Sequence, residues 1–167
     1  NIQKLDKQTW QAQAVSTTLT IEYQIYAFDL SVRGAYINDE MAFLNGTNMF
    51  LEVVGQTDQP CRLTLQKPLQ LELSHWKVAT TMPTEMQDTH AFGEYRASHY
   101  EELIDHPVLM GEFDILPFTA SGVEFEIILA GGHQADVKRI TKDLTKVCQH
   151  HIDFFADTPP IKRYQFI

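Results

Sequence analysis

The residues of this 167-residue chain best suited to metal or acid–base chemistry are its histidines, and their spacing argues against a metal site. The seven are His75, His90, His99, His106, His133, His150 and His151. No two of them have the H-E-x-x-H spacing, which places two imidazoles one helical turn apart toward a single zinc ion. His150 and His151 are adjacent on a predicted helix, so their side chains point about 100° apart. We therefore expect no metal ligands in this chain.

Nucleophilic catalysis has equally little support. The chain lacks a G-x-S-x-G turn, and its two Ser-His dipeptides carry no weight because catalytic triads are assembled in space. Cys61 and Cys148 form no C-x-x-C pair, and Cys148 lies on an apolar helix stripe, where we expect it in the core. No residue is assigned a catalytic role on these grounds.

One short segment has the composition of a functional turn. Asp105, His106 and Pro107 put an acid, an imidazole and a rigid proline together at the entrance of a predicted strand, shortly after Glu101 and Glu102. The segment can be a proline turn in which Asp105 accepts local backbone hydrogen bonds. It can also be the wall of a binding cleft, because loops beside strand ends often carry binding groups. The residues alone leave both interpretations open.

Hydrophobic periodicity predicts a mainly β chain, and its strands must position the Asp105-His106-Pro107 turn. Residues 15–27 alternate between two faces, which predicts a long antiparallel strand with one face in water. Shorter strands, separated by turn-rich pieces, are predicted at residues 49–54, 61–66, 69–73, 76–80, 108–113 and 123–129. About seven short strands at this spacing favour an antiparallel β-sandwich domain.

The periodicity changes near residue 135. Apolar positions at spacings of three, four and seven predict one amphipathic helix over residues 135–155. Pro159-Pro160 ends it, and residues 163–167 again have the pattern of a strand. The chain starts without a methionine and stops within that strand, so we expect it to be a piece of a larger protein.

The composition disfavours some classes of binding partner. Thirteen Lys and Arg against 22 Asp and Glu give a net charge of −9, which disfavours nucleic acid and an anionic membrane surface. The longest apolar runs are far shorter than the roughly 18 residues of a membrane-spanning helix. Two cysteines and no visible signal peptide favour a cytoplasmic location, with the periplasm as the alternative.

Several motifs taken together carry a family resemblance. The segments at residues 23–36, 43–47, 76–80, 103–113 and 159–166 are similar in type and order to the N-terminal region of the glycyl aminopeptidase family of zinc metallopeptidases. The resemblance implies an N-terminal β-domain, then a thermolysin-like catalytic domain with one zinc, and usually a C-terminal PDZ domain. It implies an activity that releases N-terminal glycine or alanine from peptides. Because no position here matches H-E-x-x-H, we expect this chain to be a non-catalytic part whose parent protein holds the zinc.

The resemblance also implies a domain boundary and a site. Residues 1–131 would be the β-domain, and residues 132–167 the start of a truncated catalytic domain. In related aminopeptidases an Asp-x-Pro turn lies near the substrate cleft, and Asp105-His106-Pro107 resembles that turn. We therefore expect Asp105 and His106, with Glu101 and Glu102, to help receive the amino group of a peptide substrate. The partners implied are the protein's own catalytic domain and the peptide; the alternative is a stand-alone β-sandwich binding module.

Overall fold

The computed structural model describes residues 2–13, 18–155 and 158–167, and β-strands predominate in them. The predicted mainly-β class with antiparallel sheets is confirmed. The strands are β1 (Ile2–Lys4), β2 (Trp10–Ala12), β3 (Ala35–Ile37), β4 (Met41–Leu44), β5 (Cys61–Thr64), β6 (Lys77–Ala79), β7 (Glu94–Ala97), β8 (Val108–Gly111), β9 (Phe113–Ala120), β10 (Val123–Ala130) and β11 (Arg163–Phe166). The helices are α1 (Gly46–Met49), α2 (Tyr100–Asp105) and α3 (Val137–Phe154), with a 3₁₀ turn at Leu71–Leu73.

A four-stranded sheet organises the first two thirds of the chain. Its order is β3-β4-β8-β6, and its neighbouring strands are antiparallel. Successive residues point to opposite faces, so Val78 and Val108 pack with Tyr95 on one face, while Ala79 and Leu109 face the other. The two-stranded sheet β5-β7 and helix α2 pack on the first face. A separate hairpin, β1-β2, lies at the N-terminus.

A second sheet packs on the other face. Its order is β11-β10-β9, and its Phe113 and Ile128 join Ala79 and Leu109 in one apolar cluster, so the two sheets lie face to face. Strands β9 and β10 form a hairpin through Ser121-Gly122. Both turn residues have positive φ, 45° and 79°, as a type I′ turn requires.

Helix α3 is the amphipathic helix that the sequence predicts, so that prediction is confirmed. Strands β10 and β11 are parallel, so their connection must cross over the sheet, and α3 makes that crossover. Asp136 caps the helix by accepting a hydrogen bond from the Arg139 backbone N–H at 3.1 Å. Cys148 is buried and packs with Phe125 of the sheet, as expected for a core cysteine. The sheet is thus covered by α3 on its outer face.

The predicted long strand over residues 15–27 is wrong in its described part. Residues 18–27 form no strand, and residues 15–17 lie outside the described residues. Leu19, Ile21 and Tyr23 are close to half exposed. Among the described residues, β3 meets this segment only at its end, where the Ile37 backbone N–H donates to the Ala27 carbonyl oxygen at 3.1 Å. A period of two says which face each side chain would take; it does not provide the neighbouring strand that a ladder requires.

Two shorter strand predictions are also wrong. Residue 49 belongs to helix α1, and residues 50–54 form no strand. A turn follows at once, in which the Gln56 backbone N–H donates to the Val53 carbonyl oxygen at 2.9 Å, and Val54 is exposed. The apolar run at residues 69–73 contains the 3₁₀ turn, with Leu69 and Leu71 exposed. The strands predicted at residues 61–66, 76–80, 108–113, 123–129 and 163–167 are found with somewhat different ends.

The domain boundary expected after residue 131 lies between two strands, β10 and β11, that pair with each other. Strand β11 pairs with β10 in the register that runs from Glu124 with Arg163 to Ile127 with Phe166. A boundary after residue 131 therefore separates β11 from the strand that it pairs with, although the position of the boundary itself stays a prediction. None of the helices in the described residues is both long and apolar enough to cross a bilayer.

Candidate functional site

A cleft lies between the end of helix α2 and strand β11. Its cavity measures about 530 Å³, which is within the range of pockets that hold small ligands. One wall consists of Thr81 and the turn Asp105-His106-Pro107, and the other consists of residues 161–165 and Ile167. We call this feature the Asp105 cleft. It joins the turn that the sequence singled out to a strand about 60 residues later in the chain.

Helix α2 positions Asp105. The helix begins after His99, whose Nδ1 accepts a hydrogen bond at 3.0 Å from a backbone N–H of the first turn. Leu103 is buried in the core, and the Tyr100 hydroxyl donates to the Phe50 carbonyl oxygen at 2.9 Å. These contacts fix the short helix against the body of the protein. Asp105 is its last residue, and its side chain lines the cleft while remaining exposed.

The other two predicted acids lie away from the cleft. Glu101 is exposed and does not line it. Glu102 turns back to the N-terminus of α2, where its Oε2 accepts hydrogen bonds from the Ser98 backbone N–H and hydroxyl. These bonds hold the pKa of Glu102 below its usual range. Glu102 therefore caps the start of helix α2, similar to the Glu of a capping box.

His106 is half-buried at the C-terminal end of α2. Its Nδ1 lies 2.8 Å from the Thr81 hydroxyl, so the two side chains are hydrogen-bonded across the base of the turn. Burial lowers the pKa of His106 from its ordinary value, and the nearby charges of Glu102 and Asp105 oppose this only in part. The surroundings of His106 therefore favour the neutral ring over the charged one.

Glu126 of β10 holds the β11 side of the cleft in place. Its Oε2 accepts hydrogen bonds from Arg163 at 2.7 Å and from Gln165 at 2.6 Å. Its Oε1 lies 3.4 Å from His90 Nε2, and His90 Nδ1 lies 2.8 Å from the Val78 carbonyl oxygen. Burial acts to raise the pKa of Glu126, but the hydrogen bonds from Gln165 and Arg163 and the charges of Arg163 and His90 outweigh it and lower the pKa. The cluster therefore links β6, β10 and β11.

Gln165 has a buried acceptor without a partner. The residue is only 9% exposed and lines the Asp105 cleft. Its Nε2 must face Glu126, because a carboxylate oxygen only accepts hydrogen bonds, and this fixes the amide orientation. Among the described residues Oε1 then has no hydrogen-bond donor. Leaving a buried acceptor unbonded costs about 1–3 kcal/mol.

The charges on the cleft walls are mixed. Asp105 is a free carboxylate and Lys162 a free ammonium, since neither takes part in an ion pair within the described residues. Arg163 also lines the cleft, but its charge is paired with Glu126. Sequence reasoning found Asp105 and His106 and missed Lys162, Arg163 and Gln165. The available signal was the alternation of polar Arg163 and Gln165 with the aromatic residues between and after them, which marks a polar strand face.

A second cavity of about 480 Å³ is more acidic. Asp39, Glu40, Glu112 and Asp114 line it, and two of these acids lie beside histidines. His75 Nε2 is 3.4 Å from Glu112, and a further histidine, His133, is 3.1 Å from Asp114. No group of three or more His, Cys, Asp or Glu side chains able to hold a metal ion occurs in the described residues. The cavity is therefore an acidic feature of the described surface.

Comparison with known proteins identifies the family. A family model described as the Peptidase M61 N-terminal domain matches residues 1–112, more than half of the chain. The chain is similar to the crystal structure of an aminopeptidase N family protein from Idiomarina loihiensis, with a TM-score of 0.79 and 44% sequence identity over 85% of this chain. It spans 24% of that protein's chain. No curated protein matches it. The chain therefore belongs to the peptidase M61 family, through that family's N-terminal domain.

Proposed function

We propose that this chain is the non-catalytic N-terminal part of a zinc-dependent aminopeptidase that releases N-terminal glycine or alanine from peptides. In this proposal the Asp105 cleft helps receive the substrate's amino group. The family match and the likeness to an aminopeptidase N family protein support a peptidase-associated N-terminal domain. The glycine and alanine preference rests on the motif resemblance described above.

The observation that carries the proposal is the Asp105 cleft. The turn resembling a substrate-cleft turn lines a cavity of about 530 Å³, and its exposed carboxylate has no ion-pair partner in the described residues. A carboxylate in such a place attracts the ammonium group of a peptide by a charge-assisted hydrogen bond. Glu101 and Glu102 have no part in this contact, since neither lines the cleft.

The zinc of the proposed parent enzyme does not fit the residues described here. No cluster of three His, Cys, Asp or Glu side chains in residues 2–13, 18–155 and 158–167 can hold a metal. The metal and the hydrolytic step therefore belong to the parent's catalytic domain, and we assign no step of the reaction to this chain.

An exposed aromatic face at the end of helix α3 supports packing on that catalytic domain. It consists of Phe154 and Phe155, which are 74% and 73% exposed and whose ring centroids lie 5.3 Å apart. Exposed apolar patches of this kind mark interaction surfaces. This face favours a docked domain over a stand-alone binding module.

Kinetics of the parent enzyme test the proposal. We expect Asp105→Asn to raise the KM for an unblocked glycyl substrate about tenfold, the loss of about 1.4 kcal/mol of binding energy. Glu101→Gln is the matched control, because Glu101 is exposed on the same helix but outside the cleft. Equal KM values for the two variants would contradict the assignment of Asp105.

A further inference from the structure

The backbones of helices α1 and α2 come into close contact at Gly46. A Cβ at this position would lie 2.6 Å from the Ile104 Cα and 3.0 Å from the Ile104 carbonyl oxygen, whereas ordinary contacts are 3.4 Å or longer. The backbone angles of Gly46 do not require glycine, since its φ is not positive. Glycine is also a poor helix former. The glycine at position 46 therefore serves the spacing of the two helices, and Ile104 directly precedes Asp105.

Helix α1 is itself held in place by two asparagine side chains. Asn45 Oδ1 accepts hydrogen bonds from the Thr47 backbone N–H at 3.0 Å and from the Thr47 hydroxyl at 2.6 Å. Asn45 Nδ2 donates to the Val32 carbonyl oxygen at 2.7 Å, and Asn48 Nδ2 donates to the Arg33 carbonyl oxygen. A helix of 4 residues is too short to be stable alone, so these bonds to its cap and to the preceding turn hold it. Helix α1 thus provides a fixed surface on which α2 rests.

Both ends of α1 contact α2. Gly46, the first residue of α1, meets Ile104 near the end of α2. Phe50 follows α1, and its carbonyl oxygen accepts a hydrogen bond at 2.9 Å from the hydroxyl of Tyr100, the first residue of α2. Contacts at opposite ends of a short helix fix both its position and the direction of its axis. A Cβ at position 46 must push Ile104 away by roughly 1 Å to reach an ordinary contact distance, and Asp105 moves with it.

We propose that Gly46 is a positioning residue for Asp105: by letting α2 rest directly on α1, it sets where the Asp105 carboxylate lies in the cleft. Gly46 does not line the cleft, so it acts only through α2. A charge-assisted hydrogen bond needs its two heavy atoms within about 3 Å, so a shift of roughly 1 Å weakens the hold on an amino group. This inference rests on the proposed function, because Gly46 has this role only if Asp105 contacts the substrate's amino group.

Kinetics of the parent enzyme test the inference as a double-mutant cycle. We expect Gly46→Ala to raise the KM for an unblocked glycyl substrate about fivefold, because the Asp105 carboxylate is displaced but not removed. In the Asp105→Asn background, Gly46→Ala should change the KM by less than about twofold, since no carboxylate is left to displace. Gly132→Ala is the matched control, because its added Cβ meets nothing within 4 Å, and it should leave the KM unchanged in both backgrounds. A purely structural role of Gly46 would change the KM by the same factor in both backgrounds, and that result would overturn the inference.

A milder variant keeps the test decisive if Gly46→Ala unfolds the parent enzyme. Tyr100→Phe removes the hydroxyl that donates to the Phe50 carbonyl oxygen and keeps the aromatic ring. We expect it to raise the KM about twofold to threefold, and to have no effect in the Asp105→Asn background. Tyr26→Phe is its control, since the Tyr26 side chain is exposed. Equal KM values for Tyr100→Phe and Tyr26→Phe would show that the contact with α1 does not position Asp105.

The same cycle separates this inference from the proposed function. If Asp105→Asn raises the KM but Gly46→Ala does not, the proposed function stands and the positioning role of Gly46 fails. If Asp105→Asn itself leaves the KM unchanged, the proposed function fails and the inference fails with it. An increase in KM for Gly46→Ala that disappears in the Asp105→Asn background supports both.

Discussion

Replacing Glu126 by alanine should sharply lower the stability of the chain. Glu126 accepts short hydrogen bonds from Arg163 and Gln165, and the side chains of Glu126 and Arg163 are only 19% and 23% exposed. The variant leaves the Arg163 charge half-buried and unpaired and removes the acceptor for Gln165 Nε2. Losing one partner of a largely buried ion pair costs about 3–5 kcal/mol, so we expect about 3 kcal/mol for this slightly exposed pair.

Urea unfolding followed by circular dichroism measures this loss. Glu124→Ala is the matched control, since Glu124 lies two residues away on the same strand and is exposed; it should change the free energy of unfolding by less than about 0.5 kcal/mol. The double variant Glu126→Ala/Arg163→Met should lose less free energy of unfolding than the two single variants lose together, because it leaves no unpaired charge. Equal stabilities for the Glu126→Ala and Glu124→Ala variants would refute the reasoning.

Three further predictions concern single residues. Burial lowers the pKa of His106, so near pH 6.5 the unfolded chain binds more protons than the folded chain, and the His106 contribution to stability is lost as the pH falls below that value. His106→Asn should therefore flatten the dependence of the unfolding free energy on pH between about pH 5 and pH 7. An unchanged slope would contradict this. Gly46→Ala places a Cβ 2.6 Å from the Ile104 Cα and should cost about 1–3 kcal/mol in urea unfolding, whereas Gly132→Ala, which meets nothing within 4 Å, should cost far less; equal costs would disprove the close approach. Cys61 should react with a thiol reagent before the more deeply buried Cys148, and the reverse order would show that the α3 contact with the sheet opens readily.

The parts of the fold that could be predicted are those with a strong local signal. The period of 3.6 in α3 and the apolar runs of β6, β8 and β10 each specify one type of element, and these were predicted correctly. The segment at residues 18–27 has the clearest period of two and still forms no strand, because pairing depends on a neighbour that local sequence does not specify. Helix α2 was missed because it is short and is fixed by caps and one buried leucine, Leu103, with too few turns for a visible periodicity.

The candidate site was predictable on one wall only. The composition of the Asp105-His106-Pro107 turn marked it as a possible cleft wall, and it lines a cleft. The opposite wall comes from β11, and its position depends on a parallel pairing with β10 over a separation of about 40 residues. Glu102 was expected at the cleft from its closeness in sequence, but the direction of its side chain is set by the Ser98 hydrogen bonds at the helix start. Residue type indicated the chemistry, and only the fold could say which residues meet.

The most direct test of the central claim is the structure of the parent enzyme with a non-hydrolysable glycyl peptide analogue bound. The account predicts that the amino nitrogen of the analogue lies about 3 Å from a carboxylate oxygen of Asp105, within the cleft between the end of α2 and β11. An analogue whose amino group is held by other residues, with the Asp105 cleft empty, would contradict the account.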